Sequence, residues 1–487
     1  MALCPALGVV ALLLASSASA RPLPARAPAA QTLPDGSAPQ TAPVASPVAA
    51  RAGGDMVTFA ELDTLMLERH GAAPRGKEIA TYLAQRALIT DLAKDAGLRV
   101  TDAELDARVL ELDSEMKRAG VEDGIAGELA RGGIERGEFR ATLRLAILHE
   151  RLTRRALGLP ADAQVSGDQQ QIWIDSEVER RGLQMATPPF EDGVAARLGA
   201  IEIQAAPLAE LIRETLEESE IRDALTQLLL LRRVEARLAA AQVSISEDAV
   251  TAEIERRRAE AESDPRYQGV PFENLLAAQG LSTAGLARDP AVRIAALSTR
   301  WVETKHSDQA LRDAYTSEQA FFENHFGAAV HVRAIFLGGS ANPNELARRS
   351  ATEAEQQLRA LAEEIDSAQA FAVRAGSVSE DAEARLRAGE VGWLVRASRA
   401  LPRDLIAEIH SAPEGLFGPH RLPTGAVLLW IGERRSSPSW EVMRSHVQRE
   451  LRRRFLLECL PPAEILTYLD DNGVSTPASA PRAPTGG

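Results

Sequence analysis

The sequence predicts a multidomain, mostly α fold: two similar helical blocks plus one small α+β domain. Three observations carry this prediction. The chain has 487 residues, too many for a single core. Ala, Leu, Arg and Glu abound while aromatic residues make up only 4%, and such side chains lose little freedom in a helix. Residues 328–433 break the helical pattern, with β-rich runs at both ends. The net charge of −14 argues against nucleic acid as a main partner. Arg and Glu are mixed along the helices, as on solvated helical faces.

The first twenty residues, "MALCPALGVVALLLASSASA", follow the pattern of a secretory signal peptide. The apolar run Ala6–Ala15 is too short to span a bilayer well. It ends in Ala18-Ser19-Ala20, a small-x-small cleavage pattern before Arg21, although no Lys or Arg precedes the run. No other segment is long and apolar enough to cross a membrane, so none is expected in the mature chain. Loss of Cys4 with the leader would leave Cys459 alone, which rules out an intrachain disulfide. An exported chain without disulfides fits the periplasm or cell envelope of a bacterium. Residues 21–55 are rich in Pro and Ala without an apolar period, and read as a disordered tether.

Two helical blocks follow, 56–165 and 197–305. Both start alike, "GGDMVTFAELDTLM" (53–66) and "LGAIEIQAAPLAELI" (198–212). Each continues through an apolar-periodic helix, a small-residue turn and a capped helix. Thr101 with Glu104 is a capping box. Ser246 is an N-cap candidate followed by Glu247 and Asp248, acids that suit the helix dipole. A spacing of about 145 residues is too long for a solenoid repeat and indicates domain duplication.

Within 328–433 the reading is a strand (330–337), a Gly/Ser/Asn/Pro loop, and a helix over roughly 345–365. A short helix around Phe371, a Gly-rich stretch, a short helix near Asp404–His410 and a closing strand (426–432) follow. Residues 434–470 hold an amphipathic helix with Ser437 as cap and Pro438 in the first turn. Its stripe of Trp440, Met443, Val447, Leu451 and Phe455 is expected to pack on the helical blocks. The tail, 475–487, reads as disordered.

In this order the segments resemble a known family. "VRAIFL", "ATEAEQQLRALAEEI", "AFAVRAGSVSEDAEARLRAGEVGWL", "ALPRDLIAEI" and "PEGLFGPHRLPTGAVLLWI" are similar to the parvulin-type (rotamase) prolyl isomerase domain. The helical blocks and the late helix resemble the chaperone module of SurA-like periplasmic folding factors.

The resemblance implies a pocket of two histidines, a Cys or Asp, and an apolar wall that grips a proline ring. The first histidine slot holds Ala334 and the second Val427; the Cys/Asp slot holds Asp381. The apolar wall falls on Val391, Leu401 and Leu405, and a threonine slot holds Leu422. Only Asp381 keeps the family's polar chemistry, so the isomerase site reads as degenerate. His331 lies at an odd offset from Ala334 and should face the other side of the sheet. His420 reads as an exposed turn residue. No Cys/His cluster has metal-ligand spacing and no cofactor motif is present.

Three functions stand at this point. The first is an exported chaperone that binds unfolded or extended polypeptides, envelope proteins among them. The second is an active prolyl isomerase. The third is an interaction protein dedicated to one envelope assembly.

Overall fold

The computed structural model describes residues 48–244, 246–339, 349–461, 466–469 and 475–477. The signal peptide, most of the tether and most of the tail read from sequence lie outside these residues. The chain divides into two compact units. One runs to Ser298 and resumes at Leu456; the other is Thr299–Phe455.

The first unit opens with a hairpin, β1 (Val48–Ala52) and β2 (Asp55–Thr58). Helices α1 (Phe59–His70), α2 (Pro74–Asp95), α3 (Asp102–Arg118), α4 (Gly124–Gly132) and α5 (Arg136–Ala156) follow. After α6 (Gly167–Arg181) and β3 (Leu183–Met185) the order begins again. A second hairpin, β4 (Val194–Leu198) and β5 (Ile201–Gln204), leads to α7 (Ala205–Thr215), α8 (Glu218–Ala240) and α9 (Glu247–Ser263). Then come α10 (Phe272–Ala278), α11 (Thr283–Arg288) and α12 (Pro290–Lys305). Residues 48–55, read as tether, are therefore strand and turn.

The duplication holds in local detail. Both hairpins open on "VAAR", at Val48–Arg51 and Val194–Arg197. Both slip register one residue in, between Val48 and Ala50 and between Val194 and Ala196. Both turn on a glycine in the left-handed region, Gly53 (φ 59°) and Gly199 (φ 62°). The long helices have 22 and 23 residues, and the capped helices after them 17 each.

The two copies exchange partners. Helix α2 packs on β4, β5 and α7, while α8 packs on β1, β2 and α1; α1 and α7 meet each other. Leu62, Leu65 and Met66 of α1 occupy the same repeat positions as Leu208, Leu211 and Ile212 of α7, and all six are buried in one core. This is the self-complementary logic of a twofold dimer, built inside one chain. A third strand flanks each hairpin: β10 (Leu466–Leu469) pairs with β1, and β3 with β4. Strand β11 (Ser475–Pro477) pairs with β10, so the first residues of the predicted tail belong to a sheet.

Caps follow the local sequence only in part. Thr101 and Glu104 form the expected capping box. Ser246 stands at the N-cap of α9 but makes no side-chain cap bond.

The second unit begins in the last turns of α12 and adds α13 (Asp308–Ser317) and α14 (Gln319–Phe326), which the sequence reading left unassigned. Next come β6 (Ala329–Gly338), α15 (Ala351–Ala362), α16 (Ala368–Val378), α17 (Ala382–Leu386) and β7 (Glu390–Val395). Helix α18 (Arg403–Ser411), β8 (Gly415–Leu422), β9 (Gly425–Arg435) and α19 (Trp440–Cys459) complete it. The strands form one antiparallel sheet in the order β7-β6-β9-β8. Alternation along β6 sets its two faces. Val330, Val332 and Ala334 join a core with α18; Ile335 and Leu337 join another with α15 and α16.

The apolar stripe of α19 does not pack mainly on the two blocks. Met443 and Val447 bury against Leu311 of α13, Phe322 of α14 and Val302 at the end of α12. Phe455 stacks on Trp301 with ring centres 4.6 Å apart. Ser437 is not the cap: the helix starts at Trp440, and the Ser437 hydroxyl donates to Glu323.

Glu450, 7% exposed at its side chain, accepts from Arg453 and Arg454 at 2.7–2.8 Å. Those hydrogen bonds draw its carboxyl down to about 2 against the burial that opposes them. A folded-state value below the unfolded one gives stability that is full above about pH 4.5 and is lost as the pH falls toward 2. Both arginines are partly exposed, so the contribution is expected at about 1–3 kcal/mol. E450Q should lose that amount at pH 7 and flatten the acid limb of a urea-midpoint profile; an unchanged limb would refute the assignment.

Candidate functional site

The first histidine slot, Ala334, lies mid-strand in β6 opposite Leu429 of β9 and is fully buried. Its N–H donates to the Gly389 carbonyl at 2.7 Å. Gly389 has φ 82°, and a Cβ there would stand 3.0 Å from the Ala334 carbonyl oxygen and 2.7 Å from the Ala375 methyl. The glycine is thus required by both backbone angle and close approach. The second slot, Val427 on β9, pairs with Phe336 and is also fully buried.

Six of the seven residues singled out from sequence come together. Ala334, Leu401, Leu405 and Val427 lie inside one apolar cluster, with Val391 and Leu422 packed against it. Helix α18 presses Leu405, Ile406 and Ile409 onto the sheet. This face of the sheet is a filled, apolar floor, with Ala334 and Val427 fully buried in it. Ala334 and Val427 themselves bring no polar side-chain atom to that floor that would need a partner.

Asp381 is not a member of that cluster but borders it. Its carboxylate accepts the Ala384 N–H at 2.7 Å and caps α17. With Phe336, Leu422 and Ala426 it lines a cavity of about 230 Å³. That is smaller than the usual small-molecule pocket and comparable to room for a side chain.

His331 faces away from Ala334. Its ring meets Trp393 edge-on at 5.2 Å, and its Nε2 lies 2.5 Å from a Glu390 carboxylate oxygen. Glu390 is shared with Arg333, whose guanidinium donates to the Ala368 carbonyl at the start of α16.

His420 corrects the sequence reading. It is not on a turn but in β8, directly opposite Val427. Residues paired across an antiparallel ladder share a face, so His420 reaches that face one strand over from Val427. Its ring lies 4.5 Å from Phe417, and its Nδ1 lies 4.0 Å from a Glu408 carboxylate oxygen. Its Nε2 is buried and has no hydrogen-bond partner among the described residues. A hairpin count could have found this. The turn pairs Leu422 with Gly425, and counting outward puts residue 420 opposite 427. The register shift between Phe417 and His420 hides the relation from an alignment.

Among the described residues no group of His, Cys, Asp or Glu could hold a metal ion, and no helix is long and apolar enough to cross a membrane.

No family model matches the chain, and no curated protein matches it. Among solved structures, it is similar to the peptidylprolyl isomerase PrsA from Bacillus anthracis, at 14% identity and a TM-score of 0.24, over 48% of this chain and 88% of that one. It is similar to a PpiC-type peptidyl-prolyl cis-trans isomerase domain at 24% identity and a TM-score of 0.19, over 23% and 96% of the two chains. A third is a SurA-like chaperone of Campylobacter jejuni, at 14% identity and a TM-score of 0.22, over 54% and 92%.

Proposed function

We propose that the chain is an exported folding factor of the parvulin and SurA-like kind, which binds unfolded or extended polypeptide and whose isomerase site is degenerate. The observation that carries this reading is the filled floor: Ala334 and Val427 stand fully buried in an apolar cluster where the family's histidines would be. Isomerisation needs no covalent step, only preferential binding of a twisted amide over a planar one. An apolar edge formed by Val391 and Leu422, only partly buried over Leu401 and Leu405, can hold a proline ring, but it offers no donor to a rotating amide. Loss of such a donor commonly costs about 10²–10³ in rate. The envelope is the proposed site of action, and envelope proteins in transit are the proposed clients.

Two assays on the full chain test the reading. It should suppress aggregation of an unfolded outer-membrane protein. Its turnover of a prolyl peptide in a protease-coupled assay should fall about 100-fold or more below that of a histidine-containing parvulin. Comparable turnover would overturn the degenerate site, and no suppression would overturn the chaperone.

One observation favours a second reading, a residual isomerase. His420 brings an imidazole with an unpartnered, buried Nε2 to the face that lost its histidines. On that reading H420A abolishes whatever turnover is measured; on the first it leaves the background unchanged.

A further inference from the structure

A second concavity lies in the same unit, between α14 and the segment that enters α18. Its volume is about 570 Å³, within the range of ligand sites, and it is lined by Arg396, Arg399, Arg403, His325, Leu401 and Ala407 among others. Three guanidinium groups within eight residues converge on it. None of the three makes an ion pair with a carboxylate among the described residues, although acidic residues outnumber basic ones, 69 to 55.

The backbone adds to this charge. Helix α18 starts at Arg403 from Pro402, and no side chain caps it. Arg403 and Ala407 both line the concavity, so the free N–H groups of that first turn border it. Asp404, in the same turn, is the acid nearest in sequence and is exposed. His410, further along α18, is held below its ordinary value by burial and then by the charges of Arg396 and Arg434.

Leu401 fixes the relation to the apolar site. It lines the basic concavity and also belongs to the apolar cluster that includes Ala334 and Val427. A chain that lays one residue against that apolar wall extends its neighbours toward the arginines. Guanidinium forks match carboxylates in two-point geometry.

We infer that the concavity around Arg396, Arg399 and Arg403 is a subsite for an acidic side chain of a bound extended polypeptide, flanking the residue held on the apolar wall. The inference rests on the polypeptide-binding reading above and adds a charge preference to it.

The test uses the full chain and two fluorescent twelve-residue peptides. Both carry one central proline between apolar residues; one has flanking Glu, the other Gln in the same places. At low salt the Glu peptide should bind about tenfold or more tightly than the Gln peptide by anisotropy, and the gap should close as salt is raised. R396A/R399A/R403A should remove the gap. The control R118A/R136A/R180A, which removes equal charge from exposed helical positions of the other unit, should keep it. Equal binding of the two peptides, or a gap that survives the cleft variant, overturns the subsite and leaves the polypeptide-binding reading intact. Failure of both peptides to bind overturns both.

Discussion

Leu62→Ala and Leu208→Ala should each destabilise the first unit by about 2–5 kcal/mol, the usual cost of a buried leucine cavity, and the two losses should be alike. Both side chains are fully buried, and they hold the same position in the two repeats. Because α1 and α7 pack on each other, a cavity in either lies in their shared core. Hydrogen exchange reads this directly: in either variant, amides of both α1 and α7 should lose protection together. Leu110→Ala, at a site 68% exposed, serves as control and should stay within about 0.5 kcal/mol of the parent. If L62A opened α1 while α7 kept its full protection, the helices would belong to separate cores and the exchange of partners would be refuted.

That exchange marks a boundary of what sequence can tell. The apolar spacing of 53–66 and 198–212 identified the faces that would be buried, and the likeness of the two stretches identified the duplication. Neither says which copy a face packs on. Each long helix has the same complementary hairpin available twice, and local sequence does not choose between them. Local chemistry was easier to read. The Thr101–Glu104 box depends on four residues and formed as expected. Ser437 failed as a cap because Glu323, distant in sequence, takes its hydroxyl. At the site, the residues that gather in one apolar cluster were picked out from sequence, but the strand pairing that brings His420 to that face was not. Neither was the way α18 fills the floor, since a helix of nine residues reveals its apolar side without revealing how deep it sits.

The filled floor has a sharp consequence for reversal. Placing histidines in the two slots that the resemblance marks, A334H with V427H, should not create an isomerase. Both positions are fully buried, and the Ala334 backbone is held against Gly389. An imidazole at 334 has to displace packed side chains, which costs about 1–3 kcal/mol. Each ring nitrogen left without a partner adds about 1–3 kcal/mol more. The double variant is therefore expected to lose about 3 kcal/mol or more in urea denaturation, with turnover unchanged. Burial would also depress the new imidazoles below their ordinary value of about 6.5. The unfolded chain would then bind more protons than the folded one, so the loss should deepen as the pH falls through about 6.5. Parental stability together with a gain in turnover would mean that the floor yields readily. In that case the isomerase reading would displace the chaperone with a degenerate site.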